Sequence, residues 1–285
     1  MPAVRRTSGS LSSAAAEKLR QAGVPEPEAS AEVLLSELLG MRRSEASLYD
    51  GPLTDEHAAV YGAWISRRGS REPVQRILGK AYFRNLTLNL SDSTLVPRAD
   101  TESVVEAVLE RIDRRGFGRV LDVGTGSGAI AISVSQERPS CEVHATDLSE
   151  AALRTARHNA DRAGAGVRFH AADLLHGLDK LRGGVDLLVS NPPYVRTADL
   201  VGLDPEVRAW DPAAALDGGP DGLAFYRRIF REAPPLLSRG AELVLEVGDG
   251  QAAEVLGLGE AAGYPPLGTY PDLTGTTRAV LLGRP

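Results

Sequence analysis

The stretch VLDVGTGSGAIAI, residues 120–132, decides the fold of this chain, because an apolar strand runs directly into glycines and then into a helix. Glycine has no Cβ, so Gly124, Gly126 and Gly128 permit a tight turn and a close approach of backbone to a ligand. Asp147 ends the next apolar segment, 19 residues after Gly128, where a carboxylate suits the two hydroxyls of a ribose. Together the loop and the acid predict a nucleotide-type binding site.

Around this stretch, apolar segments alternate with helical patterns from about residue 101 to the end of the chain. Such alternation predicts a parallel sheet with helices on both faces. We expect a helix at about 221–240 to be broken at Pro234–Pro235. The predicted strands are GRVLDVG, CEVHATD, VRFHAAD, VDLLVSN, AELVLEVG and TRAVLLGR.

The region before the sheet has a different pattern. From about residue 11 to 68 the spacing of apolar residues predicts a small bundle of three helices, with Thr54 as the N-cap of the third. NLTLNL, residues 85–90, alternates as a half-buried strand does, and a second short strand is expected to end at Pro97. We interpret this segment as a β-hairpin that joins the bundle to the sheet.

The spacing G-T-G-S-G, preceded by Asp122, resembles motif I of the S-adenosylmethionine-dependent methyltransferases. That resemblance implies a Rossmann-like sheet of seven strands, of which the last is antiparallel. It also implies that Leu174 lies beside the adenine, and that Asp173 ends the third strand contacting the cofactor. The residues that would hold S-adenosylmethionine in the loop and beyond it are Gly124, Thr125, Gly126, Ser127, Gly128, Asp147, Asp173 and Leu174.

A second motif, NPPY, follows the apolar run that ends at residue 190. Proline locks φ and has no N–H, so the Pro192 carbonyl meets no local competing donor at Pro193. The Asn191 side-chain carbonyl is a second acceptor, and Tyr194 offers a flat face. Two acceptors converging on one –NH₂ group fit a planar amide or an exocyclic base amine. We therefore predict Asn191, Pro192 and Tyr194 as catalytic, with Pro193 completing the substrate site.

Net charge helps to distinguish methylation of an amide from methylation of a nucleic-acid base. The chain of 285 residues carries a formal charge of −6, which disfavours binding to a nucleic-acid backbone. RRGSRE, residues 67–72, could form a local basic patch, but a solvated helix end is the simpler interpretation. Adenine methylation is thus disfavoured against methylation of an amide, and we expect no direct contact with nucleic acid.

The chain further resembles one family, the peptide-chain release factor glutamine methyltransferases. The implied substrate is the glutamine of the Gly-Gly-Gln loop of a release factor, and Arg98 and Thr101 would edge the cofactor pocket. Ala99 and Arg76 depart from the family pattern and leave a ribosomal protein or a small-molecule amide or amine open as the acceptor. The resemblance is carried, in order, by REPVQRILG, LVPRADTE, VLDVGTGSGAIAI, VSNPPYV, PAAALDGGPDGLAFYRRI and LEVGDGQ.

We therefore predict a substrate-binding helical bundle at 1–75, a hairpin linker at 76–97 and a methyltransferase domain at 98–285. The leader MPAVRRTSGS is expected to be frayed and to be no secretory signal. Since no stretch of about 18 apolar residues exists, we expect no membrane span and a cytoplasmic protein. The single cysteine, Cys141, excludes a disulfide within the chain and is expected to be buried and inert. We expect a monomer without a metal.

Overall fold

The computed structural model describes residues 8–46 and 53–284. The chain forms two compact units, one of residues 1–79 with 204–210, the other of residues 80–203 with 211–285. Residues 1–7 of the predicted leader lie outside the described residues. The last three residues of the leader already belong to the first helix, which begins at Ser8. Throughout the described ranges, every helix is too short or too polar to cross a membrane.

The first unit is helical, as predicted. Its core is built from the apolar faces of three longer helices, and the Tyr61 hydroxyl donates to the Ala31 carbonyl at 2.8 Å. Thr54 is confirmed as an N-cap, because its hydroxyl accepts from the His57 N–H. A short helix, Pro205–Arg208, belongs to this unit as well. That short helix is α9, and the other helices of this unit are α1 Ser8–Gln21, α2 Pro27–Leu39, α3 Arg43–Ala46, α4 Asp55–Gly69 and α5 Val74–Leu78.

The interpretation of residues 67–72 as a solvated helix end was wrong for Arg68 and Arg71, whereas Arg67 is 45% exposed at the end of α4. The Arg68 side chain is only 6% exposed, and its Nη1 donates to Glu206 Oε1 at 3.0 Å. Arg71 holds both oxygens of the same carboxylate at 2.6 Å. Burial raises the pKa of Glu206, but hydrogen bonds from the two arginines outweigh burial and lower it overall. The pattern failed because the partner lies 138 residues away.

Replacing Glu206 by glutamine should lower the free energy of unfolding of the first unit by about 2–4 kcal/mol, because a buried arginine loses its counter-charge. Both tryptophans of the chain, Trp64 and Trp210, lie in this unit, so their fluorescence in urea reports on its unfolding. Glu45→Gln, which breaks the exposed pair with Arg42, should cost about 0.5 kcal/mol or less. Equal losses in the two variants would contradict the structural role of Glu206.

The second unit contains the predicted α/β sheet of seven strands and, separately, a two-stranded hairpin. The sheet order is β5-β4-β3-β6-β7-β9-β8, with β9 antiparallel to both of its neighbours. The helices of this unit are α6 Thr101–Arg115, α7 Ala129–Glu137, α8 Glu150–Ala163, α10 Ala224–Glu232 and α11 Ala252–Ala261. The strands are β1 Lys80–Phe83, β2 Leu86–Asn89, β3 Arg119–Val123, β4 Glu142–Asp147, β5 Val167–Ala171, β6 Val185–Ser190, β7 Leu237–Glu246, β8 Pro266–Pro271 and β9 Thr277–Gly283.

Three local expectations need correction. Strand β8 was not predicted, because prolines at both ends and a central glycine suit only an edge strand. The second strand of the hairpin was expected after β2, with its end at Pro97, but no strand forms there. The partner of β2 is instead the preceding strand β1. Helix α10 ends at Glu232, ahead of the two prolines, and is not resumed after them, since β7 begins at Leu237. Cys141 is buried, as expected.

The sheet order creates a crevice at one place. Strands β3 and β6 are neighbours, and from this pair the sheet grows through β4 and β5 on one side and through β7 on the other. In an open α/β sheet, ligands bind at the carboxyl ends of the strands where the order reverses. Val123 pairs with Ser190 at these ends, and the Ser190 hydroxyl donates to the Val123 carbonyl at 2.7 Å. The glycine loop and NPPY therefore begin side by side.

Candidate active site

A cavity of about 460 Å³ opens at this crevice, within the range of small-molecule sites. Gly128, Pro192 and Tyr194 are not among the residues that line it. Of the residues predicted from sequence, those that line the cavity are Arg98, Thr101, Gly124, Thr125, Gly126, Ser127, Asp147, Asp173, Leu174, Asn191 and Pro193. Eleven of the fourteen predicted site residues are thus brought to one cavity.

The glycine loop combines turning and packing. Gly124, Gly126 and Gly128 all have positive φ, at 75°, 58° and 87°, a region that other residues enter only with strain. A Cβ at Gly128 would lie 2.7 Å from Ile132 Cδ1 and 3.3 Å from Ala156 Cβ. Gly128 therefore permits close packing of α7 against α8, whereas the first two glycines line the cavity.

Asp147, at the end of β4, is tied to the glycine loop. One carboxylate oxygen accepts from the Gly126 N–H at 2.8 Å, and the other accepts from the Ser149 N–H at 2.8 Å. Ser149 caps α8 through its hydroxyl, which accepts from Ala152, so Asp147 is not needed as the helix cap. A carboxylate has about four acceptor positions, which leaves Asp147 capacity for two ligand hydroxyls.

Asp122 supports the loop from beneath. It is 1% exposed, and its Oδ2 accepts from the Thr125 hydroxyl at 2.6 Å and from the Ala131 N–H at 3.2 Å. Its Oδ1 has no hydrogen-bond partner in the described part of the chain. Burial raises the pKa of Asp122 to about 7, although both hydrogen bonds oppose the rise. An unpartnered buried oxygen below a ligand loop is a polar group available to a bound water or ligand.

Asp173 and Leu174 follow β5 at the far wall of the cavity. Leu174 has a φ of 52°, a strained backbone conformation that often accompanies ligand sites. Asp173 pairs with Arg228 at 2.9 Å and is 53% exposed at its side chain. Its carboxylate thus already has a partner.

The NPPY motif presents its acceptors in a defined way. Asn191 Nδ2 donates to the Thr101 hydroxyl at 3.2 Å, so the amide nitrogen is held toward α6 and the amide oxygen lies on the opposite side. Pro192 is buried, and over residues 8–46 and 53–284 no donor is bonded to its carbonyl. These two oxygens are therefore the acceptors that remain available at this end of β6.

Tyr194 is held by two later segments of the chain. Gln251 Nε2 donates to the Tyr194 carbonyl at 2.9 Å, and Gln251 Oε1 accepts from the Gly248 N–H at 3.0 Å. Burial raises the pKa of the Tyr194 phenol to about 12, so its ring stays neutral. Gly218 packs against the motif so closely that a Cβ there would lie 2.8 Å from both the Pro193 carbonyl oxygen and the Tyr194 Cα.

Gly218→Ala should lower kcat about tenfold or more, because the backbone of NPPY must move to admit the methyl group and small displacements of a reacting group are costly. The matched control is Gly202→Ala. Neither glycine has a positive φ, and a Cβ at Gly202 would meet nothing within 4 Å. Steady-state kinetics should leave the control within about twofold of the parent chain. Equal rates for the two variants would show that the close approach at Gly218 is unimportant.

Several cavity residues were missed in the sequence. Pro212, Ala214 and Ala215 form one wall, and the segment that contains them was used only for the family resemblance, without a site role. Leu148, directly after Asp147, is 74% exposed and lines the cavity. The sequence signal for Leu148 was its position directly after Asp147, because an exposed leucine beside a ligand-binding carboxylate can pack against a planar ring of the ligand.

Two family models match the chain. The PrmC N-terminal domain matches residues 10–79, and the methyltransferase small domain matches residues 98–202. Among solved structures, the hMettl16 catalytic domain in complex with MAT2A 3'UTR hairpin 6 is similar, with a TM-score of 0.56, 14% identity and coverage of 80% of this chain and 82% of that one. At this identity the likeness shows a shared fold alone.

Curated relatives are much nearer in sequence. A release factor glutamine methyltransferase of Geobacter sulfurreducens is 42% identical over 92% of this chain and 91% of the relative. The corresponding protein of Agrobacterium fabrum is 39% identical over 95% of both chains, and that of Streptomyces coelicolor 39% over 93% of both. With such identity across nearly its whole length, the chain belongs to the release factor glutamine methyltransferase family.

Proposed function

We infer that this protein transfers a methyl group from S-adenosylmethionine to the side-chain amide nitrogen of a glutamine, in the Gly-Gly-Gln loop of a bacterial peptide chain release factor. The observation that carries this is the cavity at β3 and β6, which the glycine loop and Asn191 both line. A methyl donor held by the loop and an amide held by NPPY would meet there. Family membership supports the release factor as the acceptor.

The cavity suits the cofactor in shape and chemistry. The Asp147 carboxylate suits ribose hydroxyls, and exposed Leu148 suits one face of the adenine. We propose that Thr125, Ser127 and the loop backbone hold the amino-acid end, and that Leu174 borders the adenine. The remaining predicted residues, Arg98 and Asp173, would edge the pocket; each is already paired, with Asp211 and with Arg228. When bound, S-adenosylmethionine supplies an electrophilic methyl group on a sulfonium.

The chemistry of NPPY follows from its acceptors. Asn191 Oδ1 and the Pro192 carbonyl each accept one N–H of the glutamine amide, which fixes the nitrogen and draws electron density onto it. Its lone pair then points out of the amide plane toward the methyl donor. Tyr194 packs against the planar group and helps to exclude water. The methyl–sulfur bond would break as the nitrogen–carbon bond forms, and the methylated nitrogen would then release one proton to water, so no base on the chain has to remove it beforehand.

The first unit is proposed to bind the release factor. Its match to the PrmC N-terminal domain supports this assignment. We keep the proposed division into a substrate-binding bundle at 1–75, a linker at 76–97 and a methyltransferase domain at 98–285. We further propose that the protein acts as a monomer in the cytoplasm, where release factors work, and contacts no nucleic acid directly.

One assay tests the proposal. The protein is incubated with labelled S-adenosylmethionine and a bacterial release factor, the same factor with its loop glutamine changed to alanine, a ribosomal-protein mixture, or adenine-containing DNA. Label on the unaltered factor alone, located on the loop glutamine by mass spectrometry, is the expected result. Label on the ribosomal proteins or the DNA, with none on the factor, would replace the proposed acceptor by another.

A further inference from the structure

One buried acid next to NPPY has no part in the chemistry described so far. Glu246 ends β7 and is 2% exposed. Its Oε2 has no hydrogen-bond partner among the described residues. A buried carboxylate without a counter-ion is costly to keep. Its retention at this position calls for a function beyond packing.

The neighbours of Glu246 are two residues of the active site. Thr101 and Asn191 are the neighbouring polar side chains that favour its charged form and lower its pKa against the effect of burial. Thr101, itself 5% exposed, also accepts from Asn191 Nδ2 at 3.2 Å. A hydroxyl has one hydrogen to give. If the Thr101 hydroxyl donates its hydrogen to Glu246, the Thr101 oxygen can act only as an acceptor toward Asn191. An acceptor at this place favours the orientation in which the –NH₂ group of the Asn191 amide points at Thr101.

We propose that Glu246 is a positioning residue, which acts through Thr101 to hold Asn191 with its nitrogen turned inward and its oxygen turned toward the substrate. The proposal rests on the proposed function for the identity of the substrate amide. An asparagine amide is nearly symmetric in shape, so packing alone does not choose between its two orientations. Only the inward orientation presents an acceptor to a substrate N–H. The flipped amide would present a donor and repel it.

The direction of this chain of hydrogen bonds depends on the charge of Glu246. The ionised carboxylate only accepts, whereas the protonated acid can donate to Thr101 and free the threonine hydrogen to point at Asn191. Burial raises the pKa of Glu246 to about 7, with hydrogen bonds from Thr101 and Asn191 acting in the opposite direction. The ionised form predominates above that pKa, so the productive orientation is lost as the pH falls through about 7.

Other groups around Glu246 do not supply this switch. Asp100 adds to the rise in the pKa of Glu246 and Arg278 opposes it, and these two residues pair with each other at 3.2 Å. Arg278 also pairs with Asp272 at 2.9 Å. The Tyr226 phenol donates to the Glu246 backbone carbonyl at 2.7 Å, and burial raises the pKa of the phenols of Tyr194 and Tyr226. Both phenols therefore stay neutral near pH 7.

Side-chain amide signals of asparagine provide the decisive measurement. The chain has four asparagines, so ¹⁵N-asparagine labelling yields four –NH₂ pairs, and Asn191→Asp identifies the pair of Asn191. Its signals should shift with a midpoint near pH 7 in the parent protein and be independent of pH from 6 to 8 in Glu246→Gln. The matched control is Glu242→Gln, a buried glutamate of the same strand that is paired with Arg111. In that variant the titration should persist.

Kinetics provide the second measurement. Glu246→Gln should lower kcat about tenfold or more with KM for S-adenosylmethionine within about twofold, and should abolish the loss of activity below pH 7. Thr101→Val should do the same, and the double variant should be no worse than either single one, because the residues act in series. Glu242→Gln should retain the kcat and pH profile of the parent protein.

Two results would overturn the role of Glu246: Asn191 signals that titrate equally with and without it, or an unchanged rate in Glu246→Gln. If the parent protein does not methylate the release factor, the proposed function fails, but the amide signals still decide whether Glu246 orients Asn191.

Discussion

Asn191→Ala should lower kcat for glutamine methylation about a thousandfold while the Kd for S-adenosylmethionine stays within about threefold. The substitution removes one of two acceptors that hold the reacting nitrogen, and losing such an oriented contact typically costs two to three orders of magnitude. The cofactor contacts proposed for the glycine loop and Asp147 are untouched. Single-turnover transfer to the release factor measures the first quantity, and titration calorimetry measures the second.

The control for this variant is Asn85→Ala, the same change at an exposed position between β1 and β2. It should leave transfer within about twofold of the parent protein. An informative third variant is Asn191→Asp, which keeps an acceptor but places a second carboxyl group beside Glu246. It should also be impaired, and more so at high pH, where both acids are ionised. A fully active Asn191→Ala enzyme would remove Asn191 from the mechanism.

Asp147→Asn should weaken binding of S-adenosylmethionine about 10–100-fold with a much smaller change in kcat at saturating cofactor. A neutral amide forms weaker hydrogen bonds to ribose hydroxyls than a carboxylate does, and it keeps only two of the four acceptor positions. The substitution removes binding free energy that the ground state and the transition state share, so the effect appears in KM for S-adenosylmethionine. Calorimetry with S-adenosylmethionine and steady-state kinetics at varied cofactor concentrations measure the two effects.

Asp173→Asn is the comparison that makes this prediction specific. Both acids line the cavity, but Asp173 is paired with Arg228 and largely exposed, so its replacement should weaken binding about threefold or less. An equal loss for both variants would assign cofactor recognition to the general charge of the cavity. A larger loss for Asp173→Asn would reverse the roles of the two acids.

Features that act within a few residues could be predicted from the sequence. The glycines of residues 124–128 and the prolines of NPPY restrict or release φ directly, so their meaning does not depend on distant partners. Thr54 as a cap and the alternation of strands and helices are local in the same way. The fold class and the cavity residues of the glycine loop and NPPY followed from such signals, whereas the methyltransferase assignment rested on the family resemblance.

Features that depend on residues far apart in the chain became visible only in the tertiary structure. Edge strand β8, with its prolines, forms because β9 offers it a partner. Arg68 is buried because Glu206 arrives from 138 residues away. Gly218 matters only because NPPY folds against it.

Asn191 combines both kinds of feature, those that are local in the sequence and those that depend on distant residues. Its acceptor chemistry, and the rigidity of the prolines after it, are properties of the motif and could be derived from the sequence. Which way its amide faces is decided by Thr101, 90 residues earlier, and by Glu246 at the end of another strand. A hydrogen bond depends on distance and direction between two groups, and only the folded sheet brings these three side chains together.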